Sequence, residues 1–431
     1  MILRLFMLVY RLAWAALLPA VLLYLWRRGR RDPLYARHLA ERFGFYPRPL
    51  PQCAIWLHAV SLGETRSAIG LIRLMLDRGD RVVVTNFTPA GRREALKQFA
   101  PAIATGQLAV VWVPFDIGWC LRRFLRACTP RIGLTLEVEV WPAMIAETRR
   151  AGMPLYMCNG QYGSRPLARD SRGLRLRQRV IRGLAGAFVK SALQAERFAG
   201  IGLADVTVTG ELRFDQPIPA AQLEAARRIA PRLPAREVIA IASGTEGEEA
   251  LYLDLIRSLR AQGNPPLFVY VPRAPERFDA VAGGLAAAGL PVLRRSRVLS
   301  PDLAALTAPF PEDTAVLLGD SLGEMYFYLA LAGRVIVGGG FTPRGAHNII
   351  EPLALGKPVL TGPHVWTIEY PFAEAEAAGI ARSLPDLPAL LRALSQPPGD
   401  DPAPRIAAFL HDHGGASRRT LAAIDRVLAR E

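Results

Sequence analysis

Cysteine is scarce in this chain, four in 431 residues, and its spacing matches no metal site. Cys120 and Cys128 lie eight apart, outside any compact zinc pattern, and Cys53 and Cys158 stand alone. The expectation is four reduced thiols serving as small buried residues in a cytosol-facing body. Histidine is sparse as well, six in all, scattered without the clustering a metal cage needs. There is no zinc finger, no aromatic-interleaved strand of the RNP type and no long lysine-rich arm, so the familiar nucleic-acid modules are excluded. No internal repeat is stronger than a general alternation of strand and helix. No small-residue cleavage site comes after the apolar N-terminus, which argues against a removable signal peptide.

What the chain has in excess is positive charge: 53 Lys plus Arg against 38 Asp plus Glu, a formal net charge of +15. Such a balance asks for an anionic partner, and its location points to membrane. Residues 2–26 are almost wholly apolar, broken by Arg4 and Arg11, and lead at once into Arg27, Arg28, Arg30 and Arg31. The uninterrupted stretch 12–26 is 15 residues long, short of the roughly 20 that cross a bilayer. Extension back past Arg11 to Leu5 gives 22. Two arrangements are consistent with this: a single signal-anchor span with the body cytoplasmic by the charge bias, or a hydrophobic helix lying in the interface. Both make a membrane-bound protein with anionic lipid as a partner, and a buried helix of a soluble protein is the plain alternative. Arg122, Arg123, Arg126 and the arginines from Arg165 to Arg182 read as a further lipid-facing surface or as ordinary solvated charge.

The length exceeds one ordinary core and predicts two domains. Short apolar, β-branched runs at 54–60, 82–85, 108–113, 131–136, 155–158, 186–189 and 205–209 each lead into a loop or a helical stretch. The rhythm lapses over 215–236 and restarts at 238–241, 267–271, 315–318, 335–337 and 358–360. The fold class is α/β, with two Rossmann-like doubly wound domains. The expected division is an anchor at 1–31, a first domain at 32–214, a linker at 215–236, a second domain at 237–384, and C-terminal helices at 385–431. The last of these helices packs back on the first domain, and 397–402 is a surface loop. Polar residues gather after the strands, where open α/β sheets take their ligands.

The most informative stretch is 338–355. Gly338, Gly339 and Gly340 leave a strand without side chains, so backbone N–H groups can approach a ligand. Arg344, His347, Asn348 and Glu351 come next, with a helix expected from about Asn348 that sets Asn348 and Glu351 on one face of its first turn. A helix N-terminus favours an anion, and a first-turn carboxylate accepts from sugar hydroxyls. The stretch reads as a nucleotide-sugar seat, or more plainly as a glycine turn before a capped helix.

Several motifs together resemble one family over nearly the whole chain. They are Glu41-Arg42-Phe43-Gly44, His58-Ala59-Val60-Ser61-Leu62-Gly63-Glu64, Thr85 with Thr88-Pro89-Ala90-Gly91, Pro114-Phe115-Asp116, Glu137-Val138-Glu139-Val140-Trp141-Pro142, and Asn159 with Ser164-Arg165. In the second half they are Pro272-Arg273, Glu276-Arg277, Asp320-Ser321-Leu322-Gly323-Glu324 and the stretch 338–352. The chain resembles the membrane-associated Kdo transferases, which move 3-deoxy-D-manno-octulosonic acid from CMP-Kdo to the lipid A precursor.

The resemblance implies a GT-B-type inverting glycosyltransferase on the cytoplasmic face of a bacterial inner membrane, with no metal cofactor. It makes Glu41 the general base. Ser61, Gly63, Glu64, Thr88, Asp116, Glu137, Ser164 and Arg165 fall on the acceptor and sugar side. Ser243, Glu246, Pro272, Arg273, Gly323, Glu324, Gly345, His347, Asn348, Glu351 and His364 fall on the donor side. Cationic groups such as Arg273 would stabilise departing CMP. The helix N-termini after Ser61 and Thr88 would receive the Kdo carboxylate or a lipid phosphate.

Three departures lie on the donor side. Ser243-Gly244-Thr245-Glu246-Gly247-Glu248-Glu249 has threonine where the family has histidine, Ala274 replaces a frequent histidine, and Gly345-Ala346-His347-Asn348 replaces Gly-Gly-His-Asn. Two cationic donors are therefore missing. The alternatives are a paralogue using another nucleotide-activated acidic sugar or lipid acceptor, a nonenzymatic membrane protein, and a soluble epimerase-like enzyme, against which the N-terminal segment stands. Trp56, Trp112 and Trp119 read as packing, His58 as a core histidine, and His38 as a surface residue one turn before Glu41.

Overall fold

Apolar runs without polar alternation must be buried on both faces, which is the pattern of parallel sheets covered by helices. The computed structural model, which describes residues 1–262, 265–396 and 400–430, contains two such sheets in two units, residues 1–217 with 413–431 and residues 218–412. The first sheet comprises β1 (Ile55–His58), β2 (Val82–Asn86), β3 (Leu108–Trp112), β4 (Ile132–Leu136), β5 (Leu155–Gly160), β6 (Gly186–Val189) and β7 (Asp205–Val208). They lie all parallel in the order β3-β2-β1-β4-β5-β6-β7. The strand order reverses direction between β1 and β4, and doubly wound sheets open their ligand crevice at that point, beyond the strand C-termini. One apolar layer holds Trp56, Phe124 and Met157; the other holds Leu57, Leu134 and Phe188. The helix Ala416–Leu428 completes the second layer with Ala416, Ala423, Ile424 and Val427. Its start is fixed by the Asp215 carboxylate, which accepts from the N–H groups of Gly415 and Ser417 at 2.7 and 2.5 Å.

The second unit has β8 (Val238–Gly244), β9 (Leu267–Pro272), β10 (Val292–Arg294), β11 (Val316–Leu318), β12 (Arg334–Val337), β13 (Val359–Thr361) and β14 (Ala381–Ser383). These are also parallel, in the order β10-β11-β9-β8-β12-β13-β14, with the reversal between β8 and β12. The helix Ala220–Ile229 buries Ala225, Ala226 and Ile229 against Val269, Leu317 and Phe327. Much of the expected linker is therefore second-unit core, and the division falls at Pro217–Ile218. Of the expected loop 397–402, residues 397–399 lie outside the described residues.

The N-terminal helix α1 (Ile2–Gly29) is apolar on both sides, with a mean hydropathy of 1.9 over its best window. Phe6, Tyr10, Trp14, Leu18, Val21, Leu22 and Leu25 recur at helical spacing and pack on the first unit, against Phe115, Cys120, Leu39 and Phe43 among others. Leu5, Leu8, Val9, Leu12, Leu17, Leu23 and Trp26 point away and are exposed. Arg4 and Arg11 also lie on exposed positions. One cysteine corrects the expectation of burial: Cys53 is exposed, whereas Cys120, Cys128 and Cys158 are buried.

Candidate active site

In the first unit the switch point is lined by the segments just beyond β1 and β4. Ser61 caps the short helix Leu62–Ser67 by accepting from the Glu64 N–H, and the Glu64 carboxylate reaches back to accept from the Val60 N–H at 2.5 Å and from the Ser61 hydroxyl. This is a variant of the capping box. Gly63 sits in that first turn, and Thr88 likewise caps the helix Pro89–Gln98 by accepting from the Gly91 N–H. A Cβ on Gly91 would stand 3.0 Å from the Ser61 carbonyl oxygen, so glycine lets these two helix starts lie side by side.

Beyond β4, Glu137 adopts φ +55° and is paired with Arg213, and Glu139 accepts from the Trp141 indole N–H at 2.6 Å. Glu64 faces these two acids. Burial first, and then the Glu137 charge, push its carboxyl from 4.5 up to about 7. Glu139 is also raised, chiefly by burial. His58 at the end of β1 is fully buried and held neutral by that burial, pushed down to about 4. Its Nδ1 meets the Thr85 hydroxyl at 3.0 Å, while its Nε2 has no partner and its ring stands edge-on to Trp141. The expected core histidine is thus only half satisfied. Trp56 and Trp112 are buried packing, and Trp119 stacks on Phe43 at the surface.

Two further acids expected at the site of the first unit, Glu41 and Asp116, have their oxygens engaged. Glu41 is buried, its Oε2 accepting from Arg92 at 2.5 Å and from the Trp112 N–H at 2.8 Å, its Oε1 from Arg92 at 3.1 Å. Taking a proton from a substrate hydroxyl would require opening that bidentate pair. Asp116 is buried and accepts from the Tyr10 hydroxyl and the N–H groups of Ala143 and Met144, bracing α1 and the helix Pro142–Arg150. Both of its oxygens are thus engaged in contacts that brace the fold. Ser164 and Arg165 open the helix Ser164–Asp170 beyond β5. Sequence reasoning missed the ammonium of Lys190, buried at the end of β6 and 2.6 Å from Glu211. Although burial works the other way, Lys190 holds the Glu211 carboxyl down to about 2.

In the second unit the switch point is organised by Glu248, which lies in the 243–249 loop but is not among the expected donor-side residues. Its carboxylate accepts from the Thr245 N–H and hydroxyl at 2.9 Å each, from the Gly339 N–H at 2.7 Å and from the Phe341 N–H at 3.0 Å. The N–H groups of Gly338 and Gly339 are thus taken, by the Ala242 carbonyl and by Glu248. A Cβ at Gly338 would fall 2.6 Å from the Ser243 carbonyl oxygen, and one at Gly340 would overlap the Thr361 hydroxyl, so these glycines admit neighbouring chain. The next helix is Ile350–Ala354, and Asn348 precedes it, its side-chain oxygen accepting from the Ile350 N–H. Asn348 and Glu351 consequently do not share a first turn.

The other donor-side residues are held in different ways. Glu324 is bound twice by Arg295 and is thereby occupied, and the Gly323 carbonyl accepts from Gln222. Glu246 is exposed and pairs with Arg344 and Arg277. Ser243 and Gly345 take positive φ, and His364 is tied by its backbone to Gly340 and Ala346. Arg273 comes directly after Pro272 at the end of β9, exposed and with no acid partner among the described residues. Burial first, then the Arg273 charge, push His347 down to about 4.

Two doubly wound parallel sheets, each with its polar groups collected at the switch point, define the GT-B type of glycosyltransferase fold. A glycosyltransferase from Rickettsia africae ESF-5 shares it with a TM-score of 0.59 at 12% identity, covering 88% of this chain and 100% of that one. A UDP-GlcNAc 2-epimerase from Neisseria meningitidis shares it with a TM-score of 0.51 at 12% identity, over 86% and 100%. At the sequence level, a family model described as 3-deoxy-D-manno-octulosonic-acid transferase (kdotransferase) matches residues 37–216. The 3-deoxy-D-manno-octulosonic acid transferase of Bordetella pertussis is 39% identical over 431 residues, 97% of this chain and 98% of its own. That of Haemophilus influenzae is 28% identical over 356 residues, 81% and 80% of the two chains. The chain belongs to the 3-deoxy-D-manno-octulosonic acid (Kdo) transferase family.

Proposed function

We propose that this chain transfers Kdo from CMP-Kdo to the lipid A precursor, with the first unit taking the acceptor, the second the donor, and Glu64 acting as general base. What supports the base assignment is the place of Glu64 at the switch point, held by the Val60 N–H and the Ser61 hydroxyl with no cation partner among the described residues, where burial and the Glu137 charge push its carboxyl up to about 7. A base poised near the working pH combines correct protonation with driving force for taking the hydroxyl proton. Attack by the resulting nucleophile inverts the anomeric centre. In this reading Glu41 positions Arg92 and the end of β3.

On the donor side Arg273 is the cation for the departing CMP phosphate, and His347, neutral at working pH, contributes an N–H donor. Thr245 in place of the family's histidine turns its hydroxyl inward to Glu248. That position therefore offers the donor no cation.

The protein is membrane-associated through α1. We read α1 as lying in the interface of the inner membrane's cytoplasmic face. Phe6 to Leu25 contact the body along nearly the whole helix, leaving an outer apolar face for the acyl layer and exposed arginines for headgroups. In a spanning helix Arg11 would sit deep in hydrocarbon, at roughly 2.5–3.5 kcal/mol on insertion scales.

The test is transfer by full-length protein in detergent from CMP-Kdo to tetra-acylated lipid A precursor, read by mass. A gain of one or more Kdo units is expected. No gain, with folded protein and a working control enzyme, would move the assignment to another activated acidic sugar or another lipid acceptor.

A further inference from the structure

A cavity of about 410 Å³ lies between α1 and the rest of the first unit, walled by Trp14, Val21 and Leu25 on the helix side and by Phe87, Phe115 and Trp141 on the body side. Its size falls within the roughly 300–1,000 Å³ of small-molecule sites. At about 30 Å³ each, a water's share of liquid volume and close to that of a methylene, it holds on the order of a dozen methylenes. Two polar side chains matter in its wall. Asp116 is fully engaged by Tyr10, Ala143 and Met144. Arg42 is not: it is 1% exposed, its guanidinium lies over the Trp112 and Phe87 rings, its Nη2 donates to the Phe87 carbonyl at 3.3 Å, and its Nε and Nη1 have no hydrogen-bond partner. A buried guanidinium with free N–H groups needs an acceptor oxygen.

We propose that this cavity seats one acyl chain of the lipid acceptor, with the carbonyl oxygen at the head of that chain accepting from Arg42. The inference rests on the acceptor assignment made above and adds a subsite to it. The chemistry fits at both ends: an apolar slot for methylenes, and a cation at one wall for the ester or amide oxygen. Continuity with the carboxylate cluster favours the acceptor over a bulk lipid. Trp141 walls the cavity, donates its indole N–H to Glu139 and packs on His58. A chain seated here therefore brings its sugar up beside Glu139 and Glu64. The other side of the cavity is the membrane-facing helix, so the chain need not cross water to enter.

The test is photolabelling of full-length protein in detergent with lipid A precursor carrying a diazirine midway along an acyl chain. Label on peptides covering residues 10–25 and 113–116, displaced by unmodified precursor and not by equimolar phospholipid, is expected. Label confined to the outer positions of α1, or equal labelling by a diazirine phospholipid that the precursor fails to displace, overturns the proposal. As a second measurement, Val21→Trp narrows the slot. It is expected to lower the ratio of kcat/KM between long-chain and short-chain acceptors by about tenfold or more, since even one methylene in an apolar pocket is worth roughly that factor. An unchanged ratio overturns the proposal. Displaceable label in the cavity together with no Kdo transfer to any acceptor would support the subsite and refute the catalytic reading alone.

Discussion

Glu64→Gln separates a base from a structural acid, because it acts on stability and on rate in opposite directions. With a folded carboxyl near 7 against an ordinary 4.5, the native state holds a proton between those values that the unfolded state has released. Stability from this group is therefore complete below about pH 4.5 and is lost as pH rises through 7. The gap between these two values corresponds to about 3 kcal/mol of penalty carried at pH 8. Glutamine keeps an oxygen to accept from the Val60 N–H but has no charge to bury. Relative to wild type, Glu64→Gln should gain about 3 kcal/mol on going from pH 4.5 to pH 8, read as a Tm difference of roughly 6–12 °C for a unit of this size.

The rate should move the other way. A general base contributes about 10²–10⁴-fold, so Glu64→Gln should lose that much in kcat/KM at pH 8. Wild-type kcat/KM should rise with pH through a limb near 7, and the variant's residual activity should lack that limb. The assays are scanning fluorimetry across pH and Kdo transfer followed by mass at fixed CMP-Kdo. Activity within tenfold of wild type, with the limb near 7 retained, would refute Glu64 as base. Equal pH dependence of Tm in the two proteins would refute the electrostatic account of its environment.

Glu41→Gln should weaken the buried contact with Arg92 and lower stability by about 3–5 kcal/mol while keeping the pH limb near 7 in whatever activity remains; a folded variant with normal Tm and no turnover would make Glu41 the base instead. Lys190→Met removes the ammonium bonded to Glu211, leaving only the Arg213 charge, and should cost about 3–5 kcal/mol at pH 7, less at pH 4 where Glu211 can take up a proton; an effect that does not shrink on acidification would refute the pairing argument. Wild-type stability contributed by Glu211 is present above about pH 4.5 and is lost as pH falls toward 2, the reverse of Glu64. Nitroxides placed singly at Leu5, Leu12 and Leu23, all on exposed positions of α1, should report one shallow depth in vesicles; a monotonic change of depth along the series would establish a spanning helix.

The first sheet and five strands of the second were legible because most of those strands are apolar runs with no alternation, the mark of a sheet buried on both faces, whereas the short edge strands β10 and β14, only partly buried, carry no such run. The strand C-termini could be located too, and with them the two switch points. What the sequence could not supply is the partner of each polar group. Glycines at 338–340 look the same whether a ligand or a neighbouring strand needs the space. The answer lies in Ser243 and Thr361, and in the carboxylate of Glu248, 91 residues before Gly339. The helix expected at Asn348 begins two residues later because the Asn348 side chain caps the Ile350 N–H from outside the helix, a choice between two local hydrogen bonds that spacing does not reveal.

The carboxylates show the same limit most sharply. Six acids are buried among the described residues: Glu41, Glu64, Asp116, Glu147, Glu211 and Glu248. Glu41, Glu147 and Glu211 hold arginine or lysine partners. Asp116, Glu248 and Glu64 all accept from backbone N–H groups and hydroxyls, Glu64 from Val60 and Ser61 only. Glu64 combines the lack of a cation with acidic neighbours, and it sits near 7. From the sequence, Ser61 and Glu64 three residues apart form a cap for the next helix, which they are. Nothing local says that Glu137, 73 residues away in sequence, will stand close enough to raise its proton affinity. A motif identifies which acids a fold retains. Which of them can take a proton is decided by the strands that bring the others beside it.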